Sequence, residues 1–239
     1  MKHKTVVRSG FNAISGFYDF WYDTPLGAYA DRVEKRVFQS FLEGLPSNTL
    51  VLDLGTGTGV LLQFLLQKKY EVIGIDFSKD MLKKANEKIS KNQGSLVLGD
   101  IENLPFQNEA FDIVSAMTTL EFVNNVEKLL QEIRRVLKSG GQFILGVLTS
   151  LSSWSFDRKI RGIISKDIFS YAKFYTSFEL IKLLKRAKFN KIDIRGAVFA
   201  PPFTPKRFFP FVEKIEQKLM DSFILRMIGA FLAVKAKKN

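Results

Sequence analysis

Short apolar runs alternate with amphipathic segments through the middle of this chain, and that alternation predicts its elements. Leu50 to Leu54 is a buried-strand pattern closed by a glycine cluster, and Val60 to Gln67 follows as a helix with Val60, Leu61, Phe64 and Leu65 on one face. Glu71 to Asp76 is a second strand. Ser78 is placed to cap a helix on which Met81, Leu82, Ala85 and Ile89 form the apolar stripe. Strands are predicted at Leu96–Leu98 and Phe111–Ala116, and a helix from about Asn125 to Leu137. Gly140-Gly141 then turns the chain into a strand over Gln142–Leu148. Residues 150–175 break the alternation. It resumes with a helix at Ser177–Lys188 and a strand near Lys191–Arg195. After the Phe/Pro-rich stretch 199–211, a helix at about 211–222 and a strand over Ile228–Val234 close the chain.

Strand–helix alternation implies parallel pairing by right-handed crossovers, hence an open α/β sheet covered on both faces. One domain accounts for the 239 residues: a helical segment over 1–45, a core over 46–149, an insertion over 150–176 and a C-terminal part of the sheet over 177–239. Gly55-Thr56-Gly57-Thr58-Gly59 falls at the carboxyl end of the first strand, where open α/β sheets bind ligands. The dinucleotide fingerprint fails, because its third glycine would fall on Val60 or on Leu62; the phosphate-loop lysine is absent as well. Asp53, Asp76 and Asp100 stand at the ends of successive strands and line one crevice. Such a row suits a nucleoside, and a cationic one better than a phosphorylated one.

Composition narrows the chemistry. The chain has no cysteine and one histidine, His3, which excludes zinc ribbons, cysteine nucleophiles and Ser–His–Asp triads. No apolar stretch follows the Met-Lys-His-Lys start and no run is long enough to span a bilayer, so a cytoplasmic protein is expected. The net charge of +12 is unevenly placed. Residues 1–150 carry 17 basic and 17 acidic side chains, whereas residues 151–239 carry 19 and 7.

Five ordered motifs carry a resemblance. They are Val-Leu-Asp-Leu-Gly-Thr-Gly-Thr-Gly (51–59), Gly-Ile-Asp-Phe-Ser-Lys-Asp-Met-Leu (74–82), Gly-Asp-Ile-Glu-Asn-Leu-Pro-Phe (99–106), Phe-Asp-Ile-Val (111–114) and Glu-Ile-Arg-Arg-Val-Leu-Lys-Ser-Gly-Gly (132–141). Together they resemble the class I S-adenosylmethionine-dependent methyltransferases, most of all the branch of the ubiquinone and menaquinone C-methyltransferases. The resemblance implies an open, mostly parallel, seven-stranded Rossmann-like sheet with a small helical cap, S-adenosylmethionine as cofactor and S-adenosylhomocysteine as product.

It also implies roles for individual residues. Gly55, Thr56, Gly57 and Gly59 would form the turn against the methionine part of the cofactor, with Asp53 near its amino group and Met117 close by. Asp76 would hold the ribose hydroxyls, with Phe77 and Met81 against the adenine. Asp100 would accept from the adenine amino group while the Ile101 backbone reads the ring edge. Tyr18, in Phe17-Tyr18-Asp19, would close over the cofactor; a packing tyrosine is the competing reading.

Leu120-Glu121-Phe122-Val123 matches a segment that often reads Leu-Glu-His-Val, so Phe122 replaces a histidine, and no catalytic residue is assigned. Tyr18, Tyr22, Glu121 and Tyr175 are the substitutes for a base. On the acceptor side, residues 150–175 hold Trp154, Phe156, Arg158, Lys159, Arg161, Lys166, Phe169, Tyr171 and Lys173, and segment 199–211 adds Lys206 and Arg207. Aromatics interleaved with cations suit a small apolar or amphipathic acceptor, or a lipid at an anionic membrane surface. The alternatives are an RNA or protein methyltransferase using the basic half, a non-catalytic cofactor-binding module, and phenylalanines that fill the cap's own core beneath a solvated lysine surface.

Overall fold

The computed structural model describes residues 2–89, 94–158, 168–220, 222 and 229–239. Three helices come first: α1 (Lys2–Ile14), α2 (Phe20–Asp23) and α3 (Pro25–Leu42). The alternating core follows as β1 (Leu50–Leu54), α4 (Val60–Gln67), β2 (Glu71–Asp76), α5 (Lys79–Lys88), β3 (Gly94–Leu98), β4 (Phe111–Met117), α6 (Val126–Val136) and β5 (Leu137–Leu148). The chain then forms α7 (Ser177–Arg186), β6 (Phe189–Ala197), α8 (Phe209–Met220) and β7 (Phe231–Lys238).

The seven strands form one sheet in the order β3-β2-β1-β4-β5-β7-β6. Pairs from β3 to β5 are parallel; β7 runs antiparallel to both β5 and β6. Period-two alternation sorts the strand side chains onto two faces. Val51, Ile113, Ile144 and Ala233 join α3, α4 and α8 on one side. Leu52, Leu54, Val114, Leu145 and Val234 join α6 and α7 on the other. The direction in which the chain winds across the sheet reverses at β1, which has β2 on one flank and β4 on the other. This is the switch point beside which such sheets open a crevice.

Several boundaries differ from the pattern, each for a physical reason. Leu62 rather than Val60 completes the buried stripe of α4, because Val60 sits in the first turn against a cavity. Chain pairing with β4 already begins at Leu137, and Gly140-Gly141 is a bulge inside β5 rather than its start. Phe111 pairs with Leu137 but Ile113 pairs with Gln142, the slack being taken up at Gly140 with φ +77°. Helix α8 starts at Phe209, earlier than expected, since Pro210 suits a first helical turn. Strand β7 runs on to Lys238 past its apolar stretch because β5 and β6 supply backbone partners on both sides. Ile228 of the expected strand, and Lys159, Arg161 and Lys166 of the insertion, lie outside the described residues.

Candidate functional site

Three glycines with positive φ shape the turn after β1: Gly55 (+62°), Gly57 (+55°) and Gly59 (+81°). A Cβ on Gly55 would stand 2.5 Å from Thr119 Cγ2, whereas at Gly57 the nearest atom is 3.9 Å away. The turn is thus held against Thr119 at one glycine and open toward the crevice at another. Gly59 has a different place from the one its motif suggested. It precedes α4 and packs on Ala85 of α5, 3.0 Å from the position of a Cβ, and it lines none of the cavities at the site.

The first cavity, about 710 Å³, lies beyond the carboxyl ends of β1, β2 and β4. Gly55, Gly57, Asp76, Phe77, Met81, Asp100, Ile101, Met117 and Tyr18 all line it, so nine of the twelve residues singled out by sequence share one wall. Asp76 ends β2, with Oδ2 accepting from the Gly57 N–H (2.9 Å) and Oδ1 from the Ser78 N–H (2.8 Å). Burial pushes its carboxyl above the ordinary range, and these amide donors pull against that rise. The Ser78 hydroxyl in turn accepts from Met81 N–H and so caps α5, which sets Met81 into the wall.

Asp100 accepts from Lys4 Nζ (2.8 Å), the Glu102 N–H (3.0 Å) and Asn103 Nδ2 (3.0 Å). Partial burial would raise its pKa, but those hydrogen bonds and the Lys4 charge hold it below the ordinary value. Lys4 also pairs with Glu102 at 2.9 Å, tying α1 across this end of the cavity.

A second cavity of about 360 Å³ contains Asp53, Thr56 and Thr58 together with Tyr18, Tyr22, Gly55, Gly57 and Met117. Asp53 is buried on β1; its Oδ2 accepts from the Thr56 hydroxyl (2.6 Å) and its Oδ1 from the Ser115 hydroxyl (3.0 Å). Burial pushes its carboxyl up to about 7, and nearby Asp76 adds to the rise.

The third cavity is the largest, about 1550 Å³, and its walls are mostly apolar. Helices α1 to α3 build much of it together with side chains from 148–158 and from Ile168 and Phe169, with Phe11, Trp21, Leu26, Leu148 and Trp154 among its walls. Besides Tyr18 and Tyr22, its ionisable side chains are Glu34, Asp157 and Arg158. Burial pushes the Glu34 carboxyl up to about 8, with the Asp31 charge adding and the Arg158 charge opposing. The Arg158 guanidinium sits between the rings of Trp154 and Phe169, at 5.2 and 5.7 Å. Tyr18, Met117 and Thr118 border all three cavities, which therefore meet at one place.

The candidates for a base separate cleanly. Glu121 and Tyr175 are fully buried outside the cavities: Glu121 Oε1 accepts from the Leu148 N–H (2.6 Å), and the Tyr175 hydroxyl donates to the Leu120 carbonyl (3.5 Å). Tyr18 and Tyr22 do line cavities. Burial raises both phenols, Tyr18 to about 12, so neither is ionised near neutrality. Phe122 forms part of the wall between the first and third cavities, packed edge-on to Phe11 at 5.0 Å.

Sequence reasoning missed Lys4, Phe11, Thr118 and Glu34. Lys4, Phe11 and Glu34 reach the site from α1 and α3, whose placement no local pattern announces. Thr118, with φ +49°, carries no turn-residue signal, and Glu34 reads as one more charge on an amphipathic helix.

Comparison with known proteins supplies the chemical context. The methyltransferase-domain family matches residues 52–145. An uncharacterized protein of Methanocaldococcus jannaschii is 30% identical over 193 residues, covering 79% of this chain and 85% of that protein. The demethylmenaquinone methyltransferase of Thermotoga maritima is 30% identical over 177 residues, covering 65% of this chain and 76% of its own length. Among solved structures, a SAM-dependent methyltransferase of Thermotoga maritima superposes with a TM-score of 0.75 at 23% identity, covering 98% of this chain and all of the other.

Proposed function

Because the chain belongs to the class I S-adenosylmethionine-dependent methyltransferases, in their ubiquinone/menaquinone-methyltransferase-like branch, we propose that its acceptor is a small apolar or amphipathic molecule seated in the third cavity. One observation carries this reading: the crevice holding Asp76 and Asp100 and the large apolar chamber share Tyr18, Met117 and Thr118 as a common border. A donor in the crevice and an acceptor in the chamber would meet there in line, which is the arrangement a methyl displacement needs. The mostly apolar, aromatic walls favour a small acceptor over a nucleic acid or protein segment.

The residues present fit the cofactor. Gly57 leaves open the space a Cβ would enter, and Asp76 and Asp100 in the first cavity with Asp53 in the second offer carboxylates suited to the hydroxyls of a nucleoside and to its cationic tail. The cofactor supplies an activated methyl group on a sulfonium; the protein supplies position and electrostatics. Asp76, its orientation held by the Gly57 and Ser78 amides, would accept from the ribose hydroxyls. Phe77 and Met81 would flank the adenine, and Asp100 and the Ile101 backbone would read its edge. Gly55, Gly57 and Thr56 would border the methionine part, with the buried Asp53 toward its ammonium at the second cavity. Tyr18 would cover the junction. In the chamber Glu34 is protonated at neutral pH, so it offers a hydrogen-bond donor to an acceptor oxygen.

Calorimetry with S-adenosylmethionine and S-adenosylhomocysteine tests the cofactor assignment. Both are expected to bind wild type, and Asp76→Ala to bind each far more weakly. Absence of binding by both would sink the reading.

A further inference from the structure

Large aromatic side chains lie in water around the mouth of the third cavity. Phe17 (69% exposed), Phe20 (61%), Phe156 (69%) and Phe203 (79%) come from three segments far apart in sequence. Their neighbours bring these segments together. The rings of Phe17 and Phe20 are 6.0 Å apart, and Trp21 meets Trp154 edge-on at 6.0 Å. Trp154 Nε1 donates to the Ala200 carbonyl at 2.7 Å, joining the 153–158 helical turn to the loop carrying Phe203. Phe17, Trp21, Trp154 and Pro202 line the chamber itself, so this rim is continuous with the chamber's interior. Further along, Phe211 is 64% exposed on α8, whose first turn docks through Phe209 stacked on Tyr29 at 5.0 Å.

Clustered exposed phenylalanines mark a surface that something apolar covers. Asp19, Asp23 and Asp157 flank Phe20 and Phe156, but on the C-terminal side of the rim the charge is positive: Lys206, Arg207, Lys214 and Lys218 stand on one stretch against Glu213 and Glu216. Both of those carboxylates are taken. Glu216 is buried and accepts from the Tyr29 hydroxyl (2.5 Å), and Glu213 pairs with Arg32 and Arg36. The Arg207 guanidinium lies 5.0 Å over the exposed Phe208 ring, so cation and aromatic sit together at the surface. All of the chain's excess positive charge lies in residues 151–239.

We propose that this rim is a membrane-docking surface: Phe20, Phe156 and Phe203 enter the interface of a bilayer while Lys206 and Arg207 engage anionic lipid headgroups. No helix among the described residues is long and apolar enough to cross a membrane, so the contact is peripheral. Docking places the chamber mouth against the bilayer and lets an apolar acceptor enter without crossing water. That last benefit rests on the acceptor reading above; the docking itself does not.

The test is flotation of the full chain with vesicles of phosphatidylcholine, with and without phosphatidylglycerol. Wild type is expected to float with the anionic vesicles and to be released by added salt, because headgroup attraction is screened. Phe20→Ser/Phe156→Ser/Phe203→Ser is expected to lose roughly tenfold or more in vesicle affinity, with its S-adenosylhomocysteine affinity unchanged. Lys206→Glu/Arg207→Glu is expected to lose the preference for phosphatidylglycerol, and it provides a second test if the triple variant does not fold. Wild type that floats with neither vesicle, variants that float like wild type, or a stronger affinity for a single-stranded RNA would each overturn the proposal. Vesicle binding by a chain that fails to bind the cofactor would instead defeat the functional reading and leave the docking surface standing.

Discussion

The amide of Gly57 donates to Asp76 Oδ2 at 2.9 Å, linking the turn after β1 to the carboxylate that ends β2. One hydrogen bond thus orients the acidic side chain and ties down the glycine turn beside it. Removing Asp76 therefore acts twice. Asp76→Ala is expected to weaken S-adenosylmethionine binding roughly 10- to 100-fold, since a hydrogen bond to a charged group contributes about 1.5–3 kcal/mol. It is also expected to lower the melting temperature by freeing the Gly57 and Ser78 amides. Asp76→Asn keeps an acceptor oxygen and should fall between; equal Kd values for all three proteins by calorimetry would contradict this role.

The glycines of the turn are not equivalent. Gly55→Ala puts a methyl group 2.5 Å from Thr119 in a backbone conformation that L side chains rarely adopt, so a loss of about 2–4 kcal/mol is expected. Gly57→Ala meets open space and pays mainly for its φ, about 1–2 kcal/mol. Urea denaturation of the two variants measures the difference. Its dependence on Thr119 is checked by Gly55→Ala/Thr119→Gly, which should recover part of the loss.

Stability is expected to fall as pH rises from about 5 to 8. Burial pushes Asp53 and Glu121 up to about 7 and Glu34 up to about 8. In that window the unfolded chain has already released these protons while the folded chain still holds them, so each pH increment favours unfolding. The carboxyls held below their ordinary values, such as Asp100, Asp112 and Glu132, act at lower pH and are ionised in both states here. Glu121→Gln should flatten the profile by on the order of 2–4 kcal/mol across the window. Denaturation at pH 5, 6, 7 and 8 reads the slope; a stability that rises over this range would refute the assignment.

Tyr18 borders all three cavities, and its hydroxyl interacts with Tyr22 and Thr118. If its ring closes over the cofactor, Tyr18→Phe should leave the Kd for S-adenosylhomocysteine within about threefold, whereas Tyr18→Ala should weaken it by about tenfold or more. Equal losses in both variants would point to the hydroxyl instead.

In the proposed role Asp53 would attract the cofactor's ammonium only when ionised, and burial pushes its carboxyl up to about 7. Affinity for S-adenosylmethionine is accordingly expected to rise between pH 6 and 8, with a proton released on binding at the acid end. Calorimetry in buffers of different ionisation enthalpy counts that proton, and Asp53→Asn should abolish it.

Much of the core could be read along the chain because its signals are local. The period-two strands, the Ser78 cap of α5 and the glycines after β1 each depend on residues a few positions apart. Parallel pairing then carries the ends of β1, β2, β3 and β4 to one edge of the sheet, so a motif at the end of each strand also belongs to one crevice. Asp76, Asp100 and Met117 were legible for that reason. What no local pattern contained was long-range packing. Lys4 reaches Asp100 across 96 residues, and Trp154 reaches Ala200 across 46. Glu34 is an ordinary helical charge until α3 folds it into the wall of an apolar chamber, where burial changes its chemistry. Conversely, Glu121 and Tyr175 carry functional groups suited to a base, and packing seals both away from the cavities. Sequence order determined the fold and the crevice beyond the strand ends; only tertiary packing decided which side chains share the large apolar chamber and which phenylalanines stay outside it.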